Sequence, residues 1–103
     1  MTIYVDNLES WGWIMRGHKV RSCHMFTDTV DLTELHEMAE KIGMKKSWFQ
    51  DKDRTAPHYD LVESRRIEAV KLGAIELDRR QSVEIWKLRR ELLLKEQNVI
   101  QNL

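Results

Sequence analysis

Hydrophobic residues form short alternating runs in the first quarter of the chain, and this pattern predicts β-strands. Residues 2–5 are rich in β-forming side chains and precede two polar residues, so they predict a buried strand. Residues 19–26 alternate and predict a second strand. One of its faces would carry Val20, Ser22, His24 and Phe26. The segment 7–17 between these strands contains Trp11-Gly12-Trp13 and a further glycine, and we expect it to be a loop.

Three later segments have helical periodicity, and each begins with an aspartate that is followed three positions later by Glu or Gln. This spacing is typical of a capping box, in which side chains satisfy the free N–H groups at a helix start. The boxes are Asp31 with Glu34, Asp60 with Glu63, and Asp78 with Gln81. They predict helices over about 32–42, over 60–73, and from 78 to 98 or beyond. Residues 74–77 predict a third strand.

These elements predict an α/β fold, with a small single-layer sheet of about three short strands packed with three helices and a long C-terminal helix. Residues 1–77 would form a compact α/β domain, and residues 78–103 would form a helix that packs on it. This last helix has two apolar stripes, so a homodimer through it is one expectation, although Lys95 and Asn102 interrupt the heptad pattern. The alternative is a tail that folds back or frays.

Composition limits the classes of function. The chain has 103 residues, which is enough for one domain, and its 17 basic and 17 acidic residues give a net charge of zero. That balance argues against general nucleic-acid binding. The single cysteine, Cys23, excludes an intramolecular disulfide and a cysteine-based zinc site. We find neither a signal peptide nor an apolar run of about 20 residues, so we expect a cytoplasmic protein without membrane contact.

A series of short motifs extends over most of the chain. They are Thr-Ile-Tyr-Val-Asp (2–6), Cys-His-Met (23–25), Asp-Thr (28–29), Glu-Leu-His (34–36), Trp-Phe-Gln (48–50), Pro-His-Tyr-Asp-Leu (57–61), Ser-Arg-Arg (64–66) and Ala-Val-x-x-Gly-Ala (69–74). In this order they resemble a family of small bacterial and bacteriophage proteins known only as a domain of unknown function. The resemblance covers residues 2–77 and omits Trp11-Gly12-Trp13 and the last helix. It implies a bacterial host cytosol and no particular activity.

The best candidate for a binding site lies at the start of the second predicted helix. If Asp60 caps that helix, His58 and Tyr59 lie at its N-terminal end, where free N–H groups and the helix dipole favour an anion. Arg65 and Arg66 follow within two turns. Arg66 falls on the apolar face of the helix, where its charge needs a ligand phosphate, a ligand carboxylate or an internal partner. The internal alternatives are Asp6, Asp28 and Glu63.

This pattern favours a non-enzymatic binding module for a small anionic, nucleotide-like ligand. The ligand-binding residues would be His58, Tyr59, Asp60, Arg65, Arg66, Trp48 and His24. A tryptophan in a connecting segment, such as Trp48, serves for base stacking, for an interface or for core packing. The chain contains no Gly-rich nucleotide loop and no nucleophile motif, so no cofactor is expected.

Two other functions stay open on the sequence alone. One is a protein-interaction or dimerisation module that acts on a host factor through the last helix and Trp11-Gly12-Trp13. The other is a metal-dependent hydrolase or nuclease in which His24, His58 and Asp60 hold a divalent metal, since imidazole and carboxylate are ordinary zinc and iron ligands. Their spacing is not that of a known metal motif.

Overall fold

The structure, a computed structural model, describes residues 2–51 and 56–101, with the side chains of Trp11, Trp13 and residues 97–101 left out. Its elements follow the order of the chain. They are β1 (Ile3–Val5), β2 (Glu9–Met15), β3 (His18–Thr27), α1 (Thr33–Lys41), a short 3-10 helix (Lys46–Trp48), β4 (Tyr59–Val62), α2 (Glu63–Lys71), β5 (Ile75–Glu76) and α3 (Arg79–Gln101).

Strand β3 is the centre of a mixed sheet. One of its edges pairs antiparallel with β1 and then with β2, and its other edge pairs antiparallel with β4. Strand β5 adds to β1 in parallel. The β2–β3 hairpin turns through Arg16 and Gly17, whose φ angles of 51° and 80° fit the mirror-image turn that matches the twist of paired strands.

The α/β class, the three helices and the long C-terminal helix are confirmed, but the sheet within the described residues has five strands and not about three. The segment 7–17, predicted to be a loop, contains the whole of β2. Its pairing with β3 shifts register between Ser10 and Ile14, around Gly12 at φ 82°. This irregularity interrupts the alternation by which a strand is recognised in a sequence.

The second helix begins at Glu63, so the prediction that Asp60 caps it is wrong. Asp60 lies inside β4, opposite His24 of β3, and the cap position is the extended residue Val62. Tyr59 and Leu61 are buried on one face of β4, which favours a strand because alternate residues then enter the core. His58 and Tyr59 therefore lie on a strand and not at the N-terminal end of a helix.

Helices cover both faces of the sheet. On one face, Cys23 and Met25 belong to the buried core with residues of α1 and α2. On the other face, Phe26 stacks on Trp86 of α3 with 4.3 Å between ring centroids. Alternation along β3 therefore directs His24, the neighbour of both Cys23 and Met25, toward the α3 side.

The start of α3 is as predicted. The Gln81 backbone N–H donates to Asp78 Oδ1 at 2.8 Å, and the Asp78 N–H donates to Gln81 Oε1 at 3.0 Å, which is a reciprocal capping box. Farther along, Arg89 Nε donates to the Thr29 carbonyl at 2.9 Å and ties α3 to the segment after β3. None of the helices in the described ranges has the length and apolar character that crossing a membrane requires.

Candidate functional site

Strand register brings two histidines and an aspartate together on the α3 face of the sheet. His24 of β3 is the direct cross-strand partner of Asp60 of β4. His58 precedes Asp60 by two residues, and side chains two apart on a strand share a face. The three side chains therefore converge, and we call them the His24–His58–Asp60 cluster.

The two imidazoles both direct Nε2 at the same carboxylate oxygen. His58 Nε2 lies 3.5 Å from Asp60 Oδ1, and His24 Nε2 lies 3.8 Å from it. The rings meet edge to face with 5.0 Å between centroids. All three side chains are partly exposed, so an ion from solvent has access to them.

The other nitrogen of each ring is held by an oxygen acceptor. His24 Nδ1 lies 2.7 Å from Asp6 Oδ2, and His58 Nδ1 lies 2.7 Å from the Ala56 carbonyl oxygen. A carbonyl can only accept, so His58 carries its proton on Nδ1 in that contact. This arrangement, with Nδ1 on a carboxylate or carbonyl and Nε2 on the inner side, is typical of histidines that bind a metal.

The charges of the cluster reinforce one another. The hydrogen bond to Asp6 raises the pKa of His24 above its ordinary value, in spite of burial, which acts in the opposite direction. Burial alone would raise the pKa of Asp60, but hydrogen bonds from His58 and Gln50 and the charges of both histidines lower it. Asp60 is therefore a carboxylate at neutral pH and available as an anionic ligand.

The cluster offers three donor atoms that suit a divalent ion. One potential ligand atom from each residue lies within 4.8 Å of the other two. Among the described residues, this is the group of at least three His, Cys, Asp or Glu side chains that lie so close together. Ligand atoms on a tetrahedral zinc ion with bonds of about 2.0–2.1 Å stand about 3.3 Å apart. The 3.5 and 3.8 Å distances from Asp60 Oδ1 to the two imidazole nitrogens are close to that spacing.

Asp60 also borders a larger hollow, which we call the Trp48 groove. Its volume is about 450 Å³, and its walls include Trp48, Phe49, Gln50, Asp60, Val62 and Arg65. Gln50 Nε2 donates to Asp60 Oδ2, so one carboxylate joins the groove to the His24–His58–Asp60 cluster. A second cavity, of about 350 Å³, lies on the His24 side, next to Asp6, Arg79 and Trp86.

Five of the seven predicted ligand-binding residues lie at the cluster or the groove, and Tyr59 and Arg66 lie at neither. His24, His58 and Asp60 form the cluster, and Asp60, Trp48 and Arg65 line the groove. Tyr59 is buried on the opposite face of the sheet, where its hydroxyl lies 2.7 Å from His36 Nδ1.

Arg66 also lies outside the cluster and the groove, and it has internal partners. Its Nε donates to the Asp6 carbonyl at 2.9 Å, and its Nη1 forms an ion pair with Glu76 at 2.6 Å. The carboxylate that pairs with Arg66 is therefore Glu76. None of the three carboxylates named from the sequence, Asp6, Asp28 and Glu63, does so, although the Asp6 backbone carbonyl accepts from Arg66. Arg66 secures α2 to β1 and β5 and contributes no charge to the groove.

Two residues that sequence reasoning did not place in the site are Asp6 and Gln50. Asp6 follows β1 directly opposite His24, and Gln50 forms an isolated bridge with His58. The spacing His58-x-Asp60 was a usable signal, because residues two apart share a face of a strand. The pairing with Asp6 and Gln50 depends on contacts distant in sequence.

A family model described as "Protein of unknown function (DUF4031)" matches residues 3–89. The match reaches into α3, beyond the range 2–77 over which the motifs were recognised. No curated protein and no solved structure matches the chain.

Proposed function

The chain belongs to the DUF4031 family of proteins of unknown function, and we propose that it is a divalent-metal-dependent hydrolase with its ion at His24, His58 and Asp60. The observation that carries the proposal is the convergence of His24 Nε2 and His58 Nε2 on Asp60 Oδ1, at 3.8 and 3.5 Å. Asp6 and the Ala56 carbonyl, on the outer nitrogens of the rings, support it further.

The ligand set points to the kind of ion and to its chemistry. Two imidazoles and one carboxylate are the protein ligands of several catalytic zinc sites and of non-haem iron sites. Three protein ligands leave a coordination position for water, and a bound zinc ion lowers the pKa of that water toward about 7. Hydrolysis then needs no nucleophilic side chain, which fits a chain without a nucleophile motif. We place this activity in the bacterial cytosol, as the family resemblance suggests.

The first experiment measures metal binding directly. Protein purified without a histidine tag is stripped with a chelator and titrated with Co²⁺, whose visible absorption reports coordination by imidazole and carboxylate, and then with Zn²⁺ in competition. We expect one ion per chain, and loss of the Co²⁺ spectrum in His58→Ala. His18→Ala is the matched control, because His18 is exposed at the start of β3 and outside the cluster.

The second experiment measures hydrolysis. The metal-loaded protein is incubated with p-nitrophenyl phosphate, with bis(p-nitrophenyl) phosphate and with a single-stranded oligonucleotide, with Mn²⁺ or Zn²⁺ present. Cleavage that His58→Ala loses and His18→Ala keeps supports the proposal. Absence of stoichiometric metal binding overturns it entirely, whereas metal binding without cleavage of any of the three substrates removes the hydrolase and leaves a metal-binding protein.

A second candidate function is self-association or docking on a host protein through α3. Leu88 and Leu92 lie one helical turn apart and are 49% and 41% exposed. Light scattering on the full chain, on a chain ending at Glu91 and on Leu88→Lys tests the homodimer, with Arg80→Met as a control in a highly exposed side chain. A dimer that Leu88→Lys dissociates supports this function, and a monomer in all forms rejects the dimer.

A further inference from the structure

We propose that the Trp48 groove binds a small phosphorylated aromatic compound of the nucleoside monophosphate class, with the ring against the apolar wall and the phosphate at Arg65. This inference deepens the proposed function, because it names the substrate class of the adjoining metal site. Binding itself does not require the metal, so the two proposals can fail separately.

The size and lining of the groove suit such a compound. Its volume of about 450 Å³ is in the range of small-molecule pockets, which are mostly apolar and carry a few polar groups. Phe49, Val62 and Met15 supply apolar surface. Trp48 is 44% exposed, although a tryptophan is among the largest apolar side chains, so an aromatic ligand ring would remove that surface from water.

Positive charge lies beside this aromatic wall. The Arg65 guanidinium carbon is 5.9 Å from the centre of the Trp48 ring, and Lys45 Nζ is 5.5 Å from it. Arg65 Nη1 donates to the Ile42 carbonyl at 2.5 Å, which fixes the direction of the guanidinium. A guanidinium has five N–H donors, so one bond to a carbonyl leaves others for a phosphate.

The groove ends at the metal ligand. Trp48 and Gln50 are two residues apart, at most about 7 Å between their Cα atoms. Gln50 donates to Asp60 Oδ2, while Asp60 Oδ1 faces the two histidines. A ligand in the groove therefore borders the same carboxylate that the proposed ion would use. The juxtaposition of an exposed aromatic, a fixed guanidinium and a metal-ligand carboxylate carries the inference.

The test is calorimetric titration of the full chain with AMP, adenosine and inorganic phosphate, in chelator and again with Zn²⁺. We expect AMP to bind in both conditions, and adenosine and phosphate to bind at least about tenfold more weakly, because each lacks one half of the recognised structure. Arg65→Met should weaken AMP binding about tenfold to a hundredfold, the range for loss of a charged hydrogen bond. Arg65→Lys should recover part of it, and Arg80→Met should have no effect.

Circular dichroism shows whether Arg65→Met is folded. If it is not, the comparison of AMP affinity between Arg65→Lys and wild type decides whether Arg65 contributes to binding. The proposal is overturned if Arg65 substitutions leave AMP binding unchanged, or if AMP binds no better than inorganic phosphate. It is also overturned if chelator or His58→Ala abolishes AMP binding, since the ligand then sits on the metal and not in the groove. Arg65-dependent AMP binding by a protein that takes up no metal supports the groove and rejects the hydrolase.

Discussion

Asp6 holds His24 through both the backbone and the ring. Asp6 Oδ1 accepts the His24 backbone N–H at 2.6 Å, Oδ2 lies 2.7 Å from His24 Nδ1, and the Asp6 N–H donates to the His24 carbonyl at 3.2 Å. Rotation of the ring would break the bond at Nδ1. The imidazole is therefore fixed with Nε2 toward Asp60, the orientation that a metal ligand needs.

Asp6→Asn should reduce metal affinity without removing a ligand. The amide is uncharged and can turn its NH₂ group toward Nδ1, so it holds the ring less firmly and makes Nε2 less basic. Loss of such an outer partner costs about tenfold to a hundredfold in affinity. Competition between the protein and a chromophoric chelator for Zn²⁺ measures it. Asp28→Asn is the control, because Asp28 accepts from the Tyr4 hydroxyl at 3.3 Å and lies outside the cluster. Equal affinities in the two variants would contradict the role of Asp6.

Protonation of His24 should stabilise the metal-free protein. Because the hydrogen bond to Asp6 raises its pKa above 6.5, an NMR titration should place the midpoint above that value. A pKa that is higher in the folded state gives stability that is complete below the unfolded pKa, near 6.5, and lost as pH rises through the folded pKa. The free energy of unfolding of the wild-type protein in urea should therefore exceed that of Asp6→Asn by the largest amount at pH 5.5. This difference should be smaller at pH 8. A difference that does not change with pH would rule this out.

Local capping signals located two of the three helix starts, but only the Asp78–Gln81 box forms as predicted. At α1 the cap position is Leu32, without a side-chain cap bond, and Asp31 bonds Thr33 and not Glu34. The reciprocal bonds of Asp78 and Gln81 begin α3, and the Asp31 carboxylate accepts the Thr33 N–H at 2.9 Å at the start of α1. These interactions connect residues two or three apart, so the sequence contains all that they need. The Asp60–Glu63 spacing has the same form, yet Asp60 lies in β4. This strand pairs with β3, which is more than 30 residues away in the sequence. A local pattern cannot reveal such a pairing.

The candidate site was predictable in its residues and not in its arrangement. His24, His58 and Asp60 were recognised as potential metal ligands from their side-chain chemistry alone. Their convergence depends on the register that sets His24 opposite Asp60, and a shift of one residue would turn Asp60 to the other face. A separate register, that of β1 with β3, brings Asp6 to His24.

Cys23 should be inert toward thiol reagents in the folded protein. Burial raises the pKa of its thiol to about 12, so almost no thiolate is present at pH 8. We expect iodoacetamide to modify it at pH 8 only as fast as the chain unfolds, and fully in urea, with mass spectrometry as the readout. Because the folded pKa is raised, the stability that Cys23 contributes is present below its unfolded pKa and declines above it. Rapid modification without urea would contradict this burial.

Gly43→Ala should disturb the Trp48 groove by displacing the Arg65 guanidinium. Gly43 ends α1 at φ 80°, and a Cβ there would lie 2.8 Å from Arg65 Nη1, the atom that donates to the Ile42 carbonyl. The left-handed backbone costs a non-glycine residue about 1–2 kcal/mol in unfolding free energy. Displacement of Arg65 adds to this cost and moves the guanidinium.

Gly73→Ala provides the matched comparison, because Gly73 follows α2 at φ 109° and a Cβ there meets nothing within 4 Å. Both variants should lower the midpoint of urea unfolding, because each places a side chain on a backbone with positive φ. Only Gly43→Ala should also weaken AMP binding, since only there is Arg65 displaced. If the two variants bind AMP equally, the position of Arg65 does not govern the groove, and the phosphate must be recognised elsewhere.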